Sequence, residues 1–274
     1  MRYLRIFAVI LFVFSLVFFF WANARYAQGV NTDIPVLENA VDILEISVND
    51  PPEAMLQGLS AWDKTDGDLT DKIMVAAVSH FIEPGTVNVN YVVFDSHHNA
   101  DTLTRQVRYT DYTSPTFSLE RNPVYQVGQS FDLLRFVHAG DCIDGDISDN
   151  IRVISNMVNN YTPGNYPVVL EVSNSCGDTA QITLWVTYLT KAPTAAVTLI
   201  RHIVYVQQGE SFDPQQYLVA VTDLNATHLD QTLVQVQGNL DINTPGCYQL
   251  VYTYDDGTLS GQAPLTVVVT ERQG

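Results

Sequence analysis

Two stretches of the chain carry enough oxygen to do chemistry with a cation. Asp63-Lys-Thr-Asp-Gly-Asp-Leu69 places carboxylates at Asp63, Asp66 and Asp68, and Asp141-Cys-Ile-Asp-Gly-Asp-Ile147 places them at Asp141, Asp144 and Asp146. Hard oxygens at that density suit Ca2+, which takes about six to eight of them. The spacing is not that of an EF-hand loop. Turn chemistry accounts for the same residues: Gly67 and Gly145 admit positive φ, and flanking Asp side chains bond their own backbone. His97-His98 beside Asp95 offers nitrogen for zinc, although adjacent histidines on an exposed loop also read as polar turn residues. No Gly-x-Ser-x-Gly elbow, His-Glu-x-x-His helix or phosphate loop occurs. No carboxylate pair has an apolar neighbour that would raise a pKa for acid catalysis. The sequence therefore predicts no enzyme and no catalytic residue.

The elements that position these acids recur. Pro-led openings stand at "DIPVLE" (33–38), "TSPTFSLE" (113–120) and "KAPTAAV" (191–197), and Pro-Gly turns at Pro84-Gly85, Pro163-Gly164 and Pro245-Gly246. The turns are 163 − 84 = 79 and 245 − 163 = 82 residues apart. In the third copy the acidic phrase has decayed to Asp223-Leu-Asn-Ala-Thr-His-Leu229. After each turn the pattern has period two: Val87, Val89, Tyr91 and Val93 on one face, and later Tyr248, Leu250, Tyr252 and Tyr254. Alternation with β-branched and aromatic residues predicts half-buried antiparallel strands. Further strands are expected at 102–110, 181–189 and 264–271, each closing its repeat. No helical stripe follows residue 24. Short strands in units of this length predict β-sandwiches, with Trp62 and Trp185 as core or rim residues rather than sugar platforms.

The Pro-led opening, the Asp-x-x-Asp-Gly-Asp-Ile/Leu-Ser/Thr loop, the Pro-Gly turn and an Asp/Asn-Ser-x-Gly/Asn loop resemble bacterial Ig-like repeats related to hyalin repeats. Repeats one and two fit well, and repeat three keeps the turn and strand. The order of the whole chain, with "VVFDSHHN", "VRYTDYTSPTF" and "VSNSCGD", resembles membrane-anchored surface proteins of Gram-positive bacteria. The resemblance implies Ig-like sandwiches in which the acidic loop and the Asp95–Asn99 or Asn174–Asp178 loop share one pole. Asp63, Asp66, Asp68 and Asp95 would then converge as one Ca2+ set, and Asp141, Asp144, Asp146 and Asn174 as another. No other cofactor is expected. Cys142 and Cys176, one in each loop of repeat two, would come within disulfide reach, with Cα atoms about 5–6 Å apart. Cys247 is expected to stay single, on the outward face of its strand.

The N-terminus supplies the address. Arg2 and Arg5 precede an apolar run, Ile6 to Ala22, in which Ser15 is the one polar residue. As a helix the run covers about 26 Å, close to the ~30 Å hydrocarbon core. Ile6, Phe12, Phe19 and Trp21 mark the anchor, and the two arginines keep the N-terminus cytoplasmic. A cleavable signal ending near Ala24 is the rival reading, since Ala22-Asn-Ala24 has the form that signal peptidase accepts. Either way the bulk of the protein lies outside the cytoplasm. With 13 Lys+Arg against 30 Asp+Glu and a net charge of −17, the chain repels nucleic acid.

The fold class expected is all-β, three tandem Ig-like sandwiches after a single transmembrane helix. Residues 1–24 form the stub and anchor, 25–32 a tether, and 33–111, 112–190 and 191–274 the Ig-like domains. The function expected is non-catalytic: adhesion, spacing or ligand binding at the cell surface. The partners are the membrane and an unidentified surface protein or glycan. An accessory or sensor role in an envelope glycan or secretion system is the alternative.

Overall fold

The computed structural model describes residues 2–29, 33–130 and 132–272, with side chains in the first stretch from 11 to 25. Helix α1 spans Arg2–Gly29. The anchor residue Ile6 lies outside the described side chains; Phe12, Phe19 and Trp21 are exposed on α1. Among the described residues no helix is long and apolar enough to cross a membrane. After α1 the described residues hold strands and short 3-10 turns.

The chain divides into two compact units, Met1–Thr110 and Asp111–Gly274. In the first, Val36–Asn39, Leu59–Asp63 and Gly67–Asp68 form one sheet, and Ile43–Ile46, Ala100–Tyr109, Thr86–Phe94 and Met74–Glu83 form a second, in that order. The opening strand thus changes sheets: Val36–Asn39 pairs antiparallel with Leu59–Asp63, whereas Ile43–Ile46 runs parallel to Ala100–Tyr109. The expected alternation holds, because Val87, Val89, Tyr91 and Val93 are all fully buried. They pack against Leu37, Leu59 and Ala61 from the facing sheet, which closes a sandwich.

The second unit contains two such cores. Thr116–Leu119, Val137–Asp141 and Gly145–Asp146 face Arg152–Asn156, Gly164–Ser173, Thr179–Leu189 and Val124–Gln126. Ala195–Leu199 and Leu218–Asp223 face Ile203–Gln207, Ser260–Thr270, Gly246–Asp255 and Gln235–Gly238. The same parallel sheet switch recurs in both, at Val124–Gln126 and at Ile203–Gln207. These two sandwiches pack on each other. Ile203 joins the core that holds Leu170 and Leu184, Cys247 and Val268 lie against it, and Tyr205 Oη accepts from Phe117 N at 2.7 Å. Burial in this seam pushes the Tyr205 hydroxyl up to about 12. Cys247 is a free thiol, as expected, and the outward face of its strand lies in this seam, where burial pushes the thiol up.

Candidate functional site

Each acidic phrase folds as a tight connection between a strand and a 3-10 turn. Asp63 Oδ1 accepts from Thr65 N at 2.8 Å and Asp66 N at 2.9 Å, and Asp68 Oδ1 accepts from Thr70 N at 2.9 Å. Gly67 takes φ +76°, which lets Gly67–Asp68 pair back on Trp62–Asp63. The second copy repeats every step: Asp141 Oδ1 accepts from Ile143 N and Asp144 N, Asp146 Oδ1 from Ser148 N, and Gly145 has φ +72°. Turn chemistry is thus built into both loops. Hydrogen bonds from Thr70 and Ser148 hold Asp68 and Asp146 below the usual carboxylate range.

The following loop closes onto the middle acid in both copies. Asp66 accepts from Ser96 N at 2.7 Å and Ser96 Oγ at 2.9 Å; Asp144 accepts from Ser175 N at 2.6 Å and Ser175 Oγ at 2.7 Å. Backbone and side-chain donation from Ser96 depresses the Asp66 pKa. The structure therefore brings Asp66 together with Asp95, and Asp144 together with Asn174. Ligand atoms of Asp66, Asp95 and His97 lie within 4.8 Å of one another. Asp68 and Asp146 face their own 3-10 turns, where the hydroxyl of Ser148 also donates to Asp146.

The poles differ at their centre. In the second unit Asn174 Nδ2 donates to Asp141 Oδ2 at 3.2 Å and to Tyr112 Oη at 3.0 Å, while Tyr112 donates to Asp178 at 2.6 Å. Burial, then Asp178, pushes the Tyr112 hydroxyl far up. In the first unit the matching position is Asp95, whose Oδ1 accepts from His97 N and Asn99 N and whose Oδ2 accepts from Asn99 Nδ2 at 2.6 Å. Burial would raise the Asp95 pKa, but these donors hold it low. Asp63 Oδ2 is buried with no hydrogen-bond partner among the described residues.

Cys142 and Cys176 do flank one pole, but both are free thiols. Cys142 Sγ turns instead to the opening segment, donating to Thr113 O at 3.2 Å and accepting from Thr113 N at 3.4 Å. Burial pushes the Cys176 thiol up.

The third copy keeps the turn and loses the bridge. Asp223 Oδ1 accepts from Asn225 N and Thr227 N, and Asp230 Oδ1 caps the next 3-10 turn through Thr232 N. The phrase is longer here, and the capping acid has moved from five residues after its first Asp to seven, 230 − 223. Beside this copy a groove of about 700 Å³ opens between the two sandwiches of the second unit. Trp185 forms one wall, with Gln237, Asn239, Gln249, Thr253 and Gln262 around it. An aromatic surface among neutral amides and a hydroxyl suits a polyhydroxylated or peptide ligand.

Residues 201–269 match the family described as "Bacterial surface protein, Ig-like domain". The matched stretch is the third repeat, the copy without the full acidic phrase. The chain is also 29% identical over 206 residues to the pesticidal crystal protein Cry22Aa of Bacillus thuringiensis, spanning 72% of this chain but only 27% of that protein. Among solved structures, the M60 catalytic domain with CBM51-1 and CBM51-2 from Clostridium perfringens ZmpB aligns over 89% of this chain and 31% of its own. That alignment has 14% identity and a TM-score of 0.25. Drosophila N-cadherin EC1-3 aligns over 85% and 99%, at 12% identity and a TM-score of 0.30. The lipoprotein BT2262 of Bacteroides thetaiotaomicron aligns over 84% and 98%, at 14% identity and 0.21. The all-β sandwich architecture agrees with the Ig-like match over residues 201–269.

Sequence reasoning missed Arg105. It is 2% exposed, donates to Met55 O at 2.6 Å, Gln57 O at 2.7 Å and Asn39 Oδ1 at 3.1 Å, and lies beside the Tyr91 ring. A lone Arg on the inward phase of "TLTRQVRYT" was the available signal.

Proposed function

We propose that this chain is a membrane-anchored extracytoplasmic protein of three tandem Ig-like domains, 33–111, 112–190 and 191–274, that binds or spaces ligands at a cell surface without catalysis. The resemblance of the Asp-Gly-Asp loops to those of hyalin-related repeats supports this reading for the first two copies, and the family match at 201–269 supports a surface setting for the third. The observation that carries the reading is the exposure of α1: every large apolar side chain from Leu11 to Trp21 is 40–71% exposed. Holding such side chains in water rather than burying them costs about 1.5–3 kcal/mol each. A bilayer removes that penalty, with the N-terminus on the cytoplasmic side and the sandwiches outside. The groove beside Trp185 is then the ligand-binding surface, its amides matched to a neutral glycan or an extended peptide.

Topology is tested by treating intact spheroplasts with protease and blotting for a C-terminal tag. A fully protected tag rejects the orientation, and a soluble product beginning at Arg25 rejects the anchor in favour of a secreted protein. Binding is tested by glycan array and pull-down with the full chain, alongside Trp185→Ala. Ligands that the variant still holds at full affinity do not use the groove.

A further inference from the structure

With the groove beside Trp185 taken as the binding surface, a reading on which this one rests, we infer that its occupant is an extended peptide without acidic residues, added as a strand to the open edge of Gly246–Asp255. That ten-residue strand is paired along its whole length with Ser260–Thr270 on one side. On the other side Gln235–Gly238 faces only residues 250–253, so among the described residues no strand lies beside residues 246–249 there. The connection that follows does not close the edge. Leu240 and Ile242 turn into the core, and Ile242 O accepts from Gly209 N at 2.9 Å, just past Ile203–Gln207 on the opposite edge of the sheet. Gly238 backs onto Gln249 O, which a Cβ there would approach to 2.4 Å. The Gln249 N–H and the backbone of Cys247 are the groups left to a ligand.

The register sets the direction of these groups. Thr266 N donates to His202 O, away from Gly246–Asp255, so the opposed residues Gln249 and Thr266 exchange no hydrogen bond and the backbone groups of Gln249 point to the open edge. Alternation aims those of Cys247 the same way. The other repeats show what this position requires. Counted from the Pro-Gly turn, Gln249 matches Asn88 and Pro167. Asn88 N is answered at 2.9 Å by Ser79 Oγ of the long neighbour Met74–Glu83, and Pro167 has no N–H to answer. The third repeat keeps an N–H here with no strand beside it, and Cys247, Tyr248 and Gln249 line the groove at that point. An extended peptide carries the row of backbone groups that such an edge pairs with, and a sugar does not. Its side chains then alternate between the two faces of the sheet, and those on the seam side meet the Trp185 ring, which suits an aliphatic or basic group. No lining residue is Asp, Glu, Lys or Arg, in a chain of net charge −17, so an acidic peptide finds repulsion and no partner.

The test selects a displayed library of random short peptides on the full chain in detergent, then resynthesises the best binders with N-methyl groups on alternate amides. The expected binders lack Asp and Glu and slow amide hydrogen exchange at Cys247 and Gln249. They lose about tenfold or more in affinity with one alternating set of N-methyl groups and little with the other. Gln249→Pro copies the strand that already holds Pro167, so it should fold, checked by its melting curve, and weaken the peptide by about tenfold. Gln249→Ala keeps the N–H and should leave affinity within about threefold. Where Gln249→Pro does not fold, the N-methylated peptides and the exchange rates of the wild type decide. Equal losses in the two variants, or binding indifferent to N-methylation, assign the contact to side chains and overturn strand addition. Glycans held through Trp185 with no peptide selected overturn it too, while leaving the groove a binding surface. Ligands of neither kind weakened by Trp185→Ala remove the groove itself.

Discussion

The first unit and the repeat that follows it share a frame strand for strand, yet they solve burial differently. In the strand after the Pro-Gly turn and the strand that closes the repeat, the first unit buries Tyr91 and Arg105 where the next repeat buries Leu170 and Leu184. At the pole, the first unit sets Asp95 where the next has Asn174. The second repeat has neutral solutions at both places, and the first keeps charge. Charge kept inside a sandwich has to be answered by fixed partners. Arg105 finds them in the carbonyls of Met55 and Gln57 at the end of the 3-10 turn Pro52–Leu56; Asp63 Oδ2 does not find one within the described residues. The architecture therefore leaves the choice of buried chemistry open.

The largest effect expected on this comparison comes from exchanging the core residues. Arg105→Leu copies the second repeat but removes the donor to Gln57 O and one of the two donors to Met55 O, which keeps the Tyr91 hydroxyl. Hydrogen bonds to a charged group contribute about 1.5–3 kcal/mol each, so the first unit should lose roughly 3 kcal/mol or more. Denaturant unfolding followed by Trp62 fluorescence reads this, and a loss below about 1 kcal/mol would show that the carbonyls find water instead. Arg105→Leu with Leu184→Arg should be worse still, because Leu184 lies in an apolar core with Val168, Leu170 and Val186.

Exchange at the pole should act next. Asn174→Asp removes the amide that donates to Asp141 and Tyr112, which should cost the second unit about 1–3 kcal/mol at neutral pH. It also places a carboxylate beside Asp141, Asp144 and the Cys176 thiol, a set suited to Zn2+. Zn2+ should then restore the lost stability, checked by melting with and without chelator. A variant that is destabilised and unresponsive to Zn2+ would show that the new carboxylate does not join Asp141, Asp144 and Cys176 in a metal-binding set.

Acid should separate the repeats less sharply. Asp66, Asp68 and Asp146 have folded pKa values held below their ordinary ones by Ser96, Thr70 and Ser148. A depressed folded pKa gives stability that is complete above the unfolded value, near pH 4, and is lost as pH falls through the lower folded values. Both units should thus be flat in stability from neutral pH down to about pH 4 and weaken below it. Ser96→Ala removes the hydroxyl donor to Asp66 and leaves the backbone one, so the acid-driven loss should become smaller and end at a higher pH in the first unit alone. A pH series of melting curves for the wild type and the variant decides it.

Much of this was legible in the residues. Period-two strands and Pro-Gly turns located the strands after each turn, and the Ig-like resemblance implied the convergence of the two loops. The strand pattern carries such information because burial on a pleated sheet repeats every second residue. The switch of the opening strand between sheets was not legible, since no Gly or Pro separates Val36–Asn39 from Ile43–Ile46. Nor was the seam at Cys247, because the outward face of a strand looks the same whether water or a second sandwich covers it. At the poles, the sequence named Asp63, Asp66 and Asp95 but also Asp68, whose carboxylate serves its own turn. Residue type cannot say which way a carboxylate points; the hydrogen-bond register does.

The smallest effect concerns the glycines that let the acidic loops turn. Gly67 and Gly145 both have positive φ, +76° and +72°, a region where a Cβ is strained. Gly67→Ala and Gly145→Ala should therefore each cost about 1 kcal/mol. Their surroundings are unlike. A Cβ on Gly145 meets nothing within 4 Å, whereas one on Gly67 comes to 3.8 Å from the exposed Trp62 ring. That distance is ordinary contact, so it adds a little attraction and no clash. The backbone term is the same in both and cancels in the difference, which should fall below about 0.5 kcal/mol, with Gly67→Ala the milder. Paired denaturation curves of the two variants measure that difference directly. A larger penalty at Gly67 would mean that Trp62 is held rigidly over the acidic loop, and the first pole would then be more tightly built than the second in its aromatic cover as well as its charge.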